Sequence, residues 1–192
     1  MGTPDGNVPI IAGQFSSVIV KQVTDFRKAR RWDVDMERVA SRHILKSNQD
    51  IVDVAAYASR LERKGPVGTG DGNWLLHGAD VYAQKCASCH GSRGEGNAGR
   101  VIPKLARQHY AYVLRQMYNA ADGRRPNMKV AHIRLMQRLV VEDFQGIADY
   151  LSRTEPDSAG AIEVQVREVE VRAAVLPAPR SARRGFGSSR GS

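Results

Sequence analysis

Two cysteines are the whole thiol content of this 192-residue chain, and they stand three residues apart with a histidine directly behind: Cys86-Ala87-Ser88-Cys89-His90. A bridge between them would close too small a loop to staple a fold, so a disulfide framework is excluded. The stretch before them, Gly78 to Lys85, reads as a short helix with Val81, Tyr82 and Ala83 available for packing. On a helix, positions i, i+3 and i+4 share a face. Cys86, Cys89 and His90 can therefore address one flat macrocycle together, two thiols bonding its vinyl groups and the imidazole reaching its iron. The spacing is the attachment signature of c-type haem.

Other readings of the pair are a thioredoxin-like redox motif, a zinc site and coincidence. A thioredoxin-like pair wants a strand before it and a βαβ context; this chain offers a helix and then a glycine-rich loop. Zinc needs four ligands, usually two such pairs, whereas His43, His77, His109 and His132 are scattered.

Haem alone adds a demand, a ligand on the far side of the iron. A thioether is the usual partner of histidine in electron-carrying cytochromes. Met117 recurs with Tyr110, Val113 and Leu114 at helical spacing, and Met136 lies in the apolar turn Ile133–Met136, so both read as core. Met128 follows the breaker-rich run Asp122-Gly123-Arg124-Arg125-Pro126-Asn127 and reads as a loop residue able to reach the iron opposite His90. Met128 is the expected sixth ligand, with Met136 the alternative.

Over Gly78–Arg153 the chain resembles the class I cytochrome c family: helix, Cys86–His90, a loop with Gly91, Gly94, Gly96 and Gly99, Pro103, the Gln108–Asn119 helix, the Met128 loop and a closing helix Glu142–Arg153. The resemblance implies an all-α fold and one covalent haem c on Cys86 and Cys89. It implies axial ligation by His90 and Met128, with the Pro103 carbonyl supporting the histidine. The closing helix presents Phe144, Ile147, Ala148 and Leu151 on one face, expected against the haem-motif helix.

Residues 9–60 echo 103–153 without cysteines. Pro9, Gln14, Gln22 and Arg31 match Pro103, Gln108, Gln116 and Arg125, and after a slip Met36 matches Met128. Asp50, Ala55, Tyr57, Ser59 and Arg60 match Asp143, Ala148, Tyr150, Ser152 and Arg153. This tandem pattern resembles the periplasmic two-domain dihaem cytochrome c family. It departs from that family in lacking a first Cys-x-x-Cys-His, expected just upstream of Gly2–Asn7. A late start or a lost haem accounts for the departure, and a late start also accounts for the absent export signal.

The expected organisation is a partial, haem-less cytochrome c-like repeat at 1–65, a linker at 66–77, a haem domain at 78–153 and a mostly disordered tail at 154–192. The helices of the first repeat fall at Phe15–Ala29 and Gln49–Arg63, and this repeat is expected to be poorly stable unless packed on the second. Ile162–Val166 and Val169–Val171 alternate like a frayed strand, and the sequence from Leu176 is low in complexity.

The net charge of +9 is spread along the chain with no dense basic block. That disfavours a nucleic-acid partner and fits docking to an acidic surface on a redox partner, such as a terminal oxidase or an upstream reductase, or peripheral contact with an anionic membrane. No run reaches the ~18 apolar residues of a membrane helix. The expected function is one-electron transfer in a respiratory chain, in the periplasm and without enzymatic activity. The alternatives are a cytochrome subunit of a larger oxidoreductase and a haem-based ligand sensor.

Overall fold

The computed structural model describes residues 2–155. The expectations for the tail beyond Glu155, including the strand-like 162–171 segment, lie outside the described residues. Those residues form eight helices in order: α1 (Ser16–Arg27), α2 (Val34–Ala40), α3 (Asn48–Arg60), α4 (Leu75–Lys85), α5 (Ala87–His90), α6 (Tyr110–Ala121), α7 (Val130–Met136) and α8 (Val141–Arg153). No strand occurs among them, only an isolated bridge between Asn97 and Ile102.

Helix ends follow local chemistry. Asp33 accepts from the Met36 amide at the head of α2, and Ser47 and Asp50 cap α3 reciprocally. At α1 and α6 the preceding residue serves instead. The Oε1 atoms of Gln14 and Gln108 accept from the amides of Phe15 and His109 at 3.0 Å each.

Two apolar cores result. Ile19, Val23, Phe26, Ala40, Ile51, Ala55 and Ala58 form the first, with Met36 against it. The second gathers Leu75, Val81, Tyr82, Cys86, Val113, Met136, Phe144, Ile147 and Leu151. As expected, α8 packs along α4 in the most extensive helix pairing of the molecule. A Cβ on Gly78 would lie 1.9 Å from the Gly146 carbonyl carbon, so only two glycines allow this crossing. Of the residues expected to pack from α4, Val81 and Tyr82 are buried and Ala83 faces outward.

The helix α4 begins at Leu75, three residues before the expected Gly78, and the region read as a linker is tied to the second core. The Gly68 carbonyl accepts from Tyr110 N, and the buried Asp149 carboxylate accepts from Gly70 N at 2.9 Å and Gly72 N at 2.8 Å. At the other end, Thr154 is fully buried and donates to the Tyr150 carbonyl, while Glu155 pairs with Arg107 at 3.0 Å. Both belong to the span expected as tail, so the ordered domain runs two residues past the expected boundary at Arg153.

The halves are joined by the residues that the repeat matches. Gln14 donates to the Lys104 carbonyl and accepts from the Lys104 amide, both at 3.0 Å. Gln108 does the same to Ile10, with both bonds at 2.9 Å. Arg31 reaches Gln116 at 2.7 Å, and Arg125 reaches Gln22 at 3.4 Å. Each of these contacts thus has its counterpart, exchanged, in the other half. The first repeat is packed on the second.

Candidate haem-binding site

Helix α4 delivers the two cysteines. Cys86 continues its hydrogen bonding, donating to the Tyr82 carbonyl at 2.9 Å, and the chain then turns through α5 as Cys89 N and His90 N both donate to the Cys86 carbonyl. Cys86 is buried and Cys89 exposed, both as free thiols. Burial pushes the Cys86 thiol up to about 11, with neighbouring Lys85 opposing, so it stays protonated in the polypeptide at neutral pH.

The loop after His90 is held from below. The Tyr82 hydroxyl donates to the Gly91 carbonyl at 2.7 Å, and Tyr150, 5.2 Å from the Tyr82 ring, donates to the Ser92 carbonyl at 3.2 Å. Gly96 N returns to the His90 carbonyl at 2.8 Å. This closed loop sets the Pro103 carbonyl 3.4 Å from His90 Nδ1, the relation expected from the resemblance. With Nδ1 directed at a carbonyl, Nε2 is the nitrogen left to bind iron. Burial lowers the His90 pKa, against the Pro103 contact, and favours the neutral, ligating imidazole.

The donor set fits haem. Two thiols and one oriented imidazole lie within a single turn, and half-buried Leu105, Leu114, Met117, Tyr118, Met128 and Leu135 line the same core as Cys86. The competing readings lose support. Among the described residues no three His, Cys, Asp or Glu side chains converge to hold a metal ion, and no strand precedes the pair.

Met136 is buried in the core, as expected. Met128 sits in a turn before α7, its amide donating to the Arg125 carbonyl at 3.1 Å, half-buried against the second core. A residue that the sequence left among the scattered histidines also reaches the site. His132, on α7, places its ring 6.0 Å from that of His90, centre to centre, with the planes at 46°. Burial, then His90 and Arg125, push the His132 pKa down to about 4. The available signal was its spacing, four residues after Met128 and seven before the buried Leu139.

Comparison with known proteins sets the chain among the cytochromes c. The Cytochrome c family model matches residues 75–155. The chain is 30% identical over 163 residues to cytochrome c4 of Thiocapsa roseopersicina, covering 77% of this chain and 82% of that one. It is 28% identical over 161 residues to cytochrome c4 of Pseudomonas aeruginosa, covering 78% and 77%. The structure of reduced cytochrome c4 from Pseudomonas stutzeri superimposes with a TM-score of 0.66 at 27% identity, covering 79% of this chain and 90% of that one. Thiosulfate dehydrogenase of Marichromatium purpuratum shares the fold, with a TM-score of 0.69 at 24% identity, covering 81% of this chain and 36% of that one.

Fold and site together define a c-type cytochrome, an electron-transfer protein built around covalently bound haem. Within that class, the chain belongs to the cytochrome c4 family.

Proposed function

We propose that residues 75–155 hold haem c through Cys86 and Cys89, with His90 as proximal ligand, and that residues 2–65, which carry no cysteine, form a second repeat packed against them. The observation that carries this is the joint placement of both thiols and of a histidine oriented by the Pro103 carbonyl. A second ligand to the iron would come from the 128–132 segment, which holds both Met128 and His132. When bound, haem supplies a one-electron couple between ferric and ferrous iron.

The chain's own residues do the rest. Tyr82, Tyr150 and Pro103 fix the proximal loop, and the apolar side chains of α6 and α7 exclude water. An iron held by His90 and a second protein ligand would offer no open site for oxygen or peroxide chemistry, which favours a carrier over an enzyme or a ligand sensor. The excess positive charge suits docking on acidic faces of redox partners. The setting we propose is the periplasm; among the described residues no helix is long and apolar enough to cross a membrane.

Expression in cells that attach haem c tests the assignment. The expected product keeps haem on a denaturing gel, shows a c-type pyridine haemochrome at one haem per chain and is reversibly reduced. Cys86→Ala/Cys89→Ala should lose all covalent haem. A wild-type chain that emerges without covalent haem overturns the reading.

A further inference from the structure

We propose that His132 is the sixth ligand of the iron, so that the centre is bis-histidine in place of the His/Met pair expected from Met128. The inference rests on the reading of Cys86–His90 as the haem attachment site.

The spacing of the rings matches that of two imidazoles sharing one metal ion. Imidazole nitrogens bind first-row metals at about 2 Å. Two such bonds end to end, with the ring radii added, put the ring centres about 6 Å apart. The His90 and His132 rings stand at 6.0 Å. His90 turns its Nδ1 to Pro103, and no hydrogen bond to a protein group is made by either ring nitrogen of His132 among the described residues.

His132 is also the better held of the two candidates. Helix α7 is anchored at its far end by buried Met136 and Leu139, and Gln137 Nε2 donates to the Ala121 carbonyl at 3.1 Å, tying α7 to α6. His132 N donates to the Lys129 carbonyl at 2.9 Å within the first turn. Met128 lies outside the helix, on the turn that enters it, and packs its side chain on the apolar core. A ligand on a braced helix keeps its place through an oxidation-state change better than one on a turn.

The assignment has a chemical consequence. A thioether opposite histidine raises the reduction potential, so a second imidazole sets this centre lower than a His/Met cytochrome. Both axial positions remain filled, and the carrier reading stands.

The test uses the full chain with haem attached and the variants His132→Met, His132→Ala and Met128→Leu. Covalent haem is measured first; its absence from the wild-type chain overturns the haem reading itself and is thereby distinguished from a wrong ligand. With haem present, the expected wild-type ferric spectrum is low-spin and lacks the near-infrared Met–iron band. Met128→Leu should keep a low-spin ferric spectrum without the Met–iron band. His132→Met should gain the Met–iron band and a higher potential, and His132→Ala should turn high-spin and bind carbon monoxide when reduced. A wild-type Met–iron band that disappears in Met128→Leu overturns the proposal. Should His132→Ala fail to accumulate, the wild-type spectrum decides alone: low-spin without the band supports it, and the band overturns it.

Discussion

Replacing Gln108 by leucine should cost about 3–5 kcal/mol, far more than the same change at Gln14. The side chain of Gln108 is 7% exposed and serves three backbone groups: Ile10 N–H, Ile10 C=O and His109 N–H. Leucine fills similar space but satisfies none of them. Ile10 is 4% exposed and His109 fully buried, so water cannot replace the amide. Each buried group left unpaired costs about 1–3 kcal/mol, reduced where the chain relaxes. Gln14 makes the mirrored three bonds, to Lys104 N–H and C=O and to Phe15 N–H, but Lys104 and Phe15 are only half-buried, so water can reach their backbone groups when the amide is gone. Its replacement should cost about 1–2 kcal/mol. Urea unfolding of the haem-loaded protein, fitted by linear extrapolation, gives both values. The two tryptophans, Trp32 in the first half and Trp74 in the second, report on either side. In Gln108→Leu the Trp32 signal should move to lower urea ahead of the Trp74 signal. Equal losses for the two variants, or a loss below about 1 kcal/mol for Gln108→Leu, would refute the reasoning that burial decides the worth of the bonds.

Gly78→Ala should prevent accumulation of folded holoprotein, since the new methyl meets the Gly146 backbone and overpacking of this kind costs about 3 kcal/mol or more; expression and thermal melting measure it. Arg31→Ala removes bonds to Gln22, Tyr112 and Gln116 from a buried position and should cost about 2 kcal/mol by the same urea assay, with Arg31→Lys recovering only part. Burial alone would raise the Asp25 carboxyl, but hydrogen bonds from Lys21 and Asn127 outweigh it and hold the pKa below the usual value. A depressed carboxylate contributes stability above its unfolded pKa and loses it as pH falls through the folded one. Stability of the wild-type protein should therefore drop below about pH 4 more steeply than that of Asp25→Asn, as followed by denaturation at stepped pH.

Much of this was legible in the sequence because the signals were periodic or chemically singular. The face of α8 and the Cys86–His90 turn follow directly from residue spacing, and the repeat match singled out Gln14, Gln22 and Arg31 before their contacts were visible. What escaped was set by tertiary contact. The segment 66–77 reads as a linker, yet Gly68 and Gly70 are small where the Pro4 backbone and the Asp149 carboxylate press on them. Composition cannot distinguish a glycine chosen for freedom from one chosen for closeness. His132 escaped for a related reason. A histidine in an apolar helical turn announces nothing until the fold sets another imidazole in front of it. Helix ends moved by one to three residues, since caps such as Gln108 and Gln14 act from outside the helix they start.

The paired clasps at Gln14 and Gln108 read only main chain on the opposite side. A bond to an amide and a carbonyl is indifferent to the side chain between them, and the two recipients are as unlike as Ile10 and Lys104. At these two clasps the seam therefore asks for identity at the glutamines and for backbone shape across from them. Two copies joined in this manner can drift apart in sequence, each taking on its own chemistry, without first having to renegotiate how they meet.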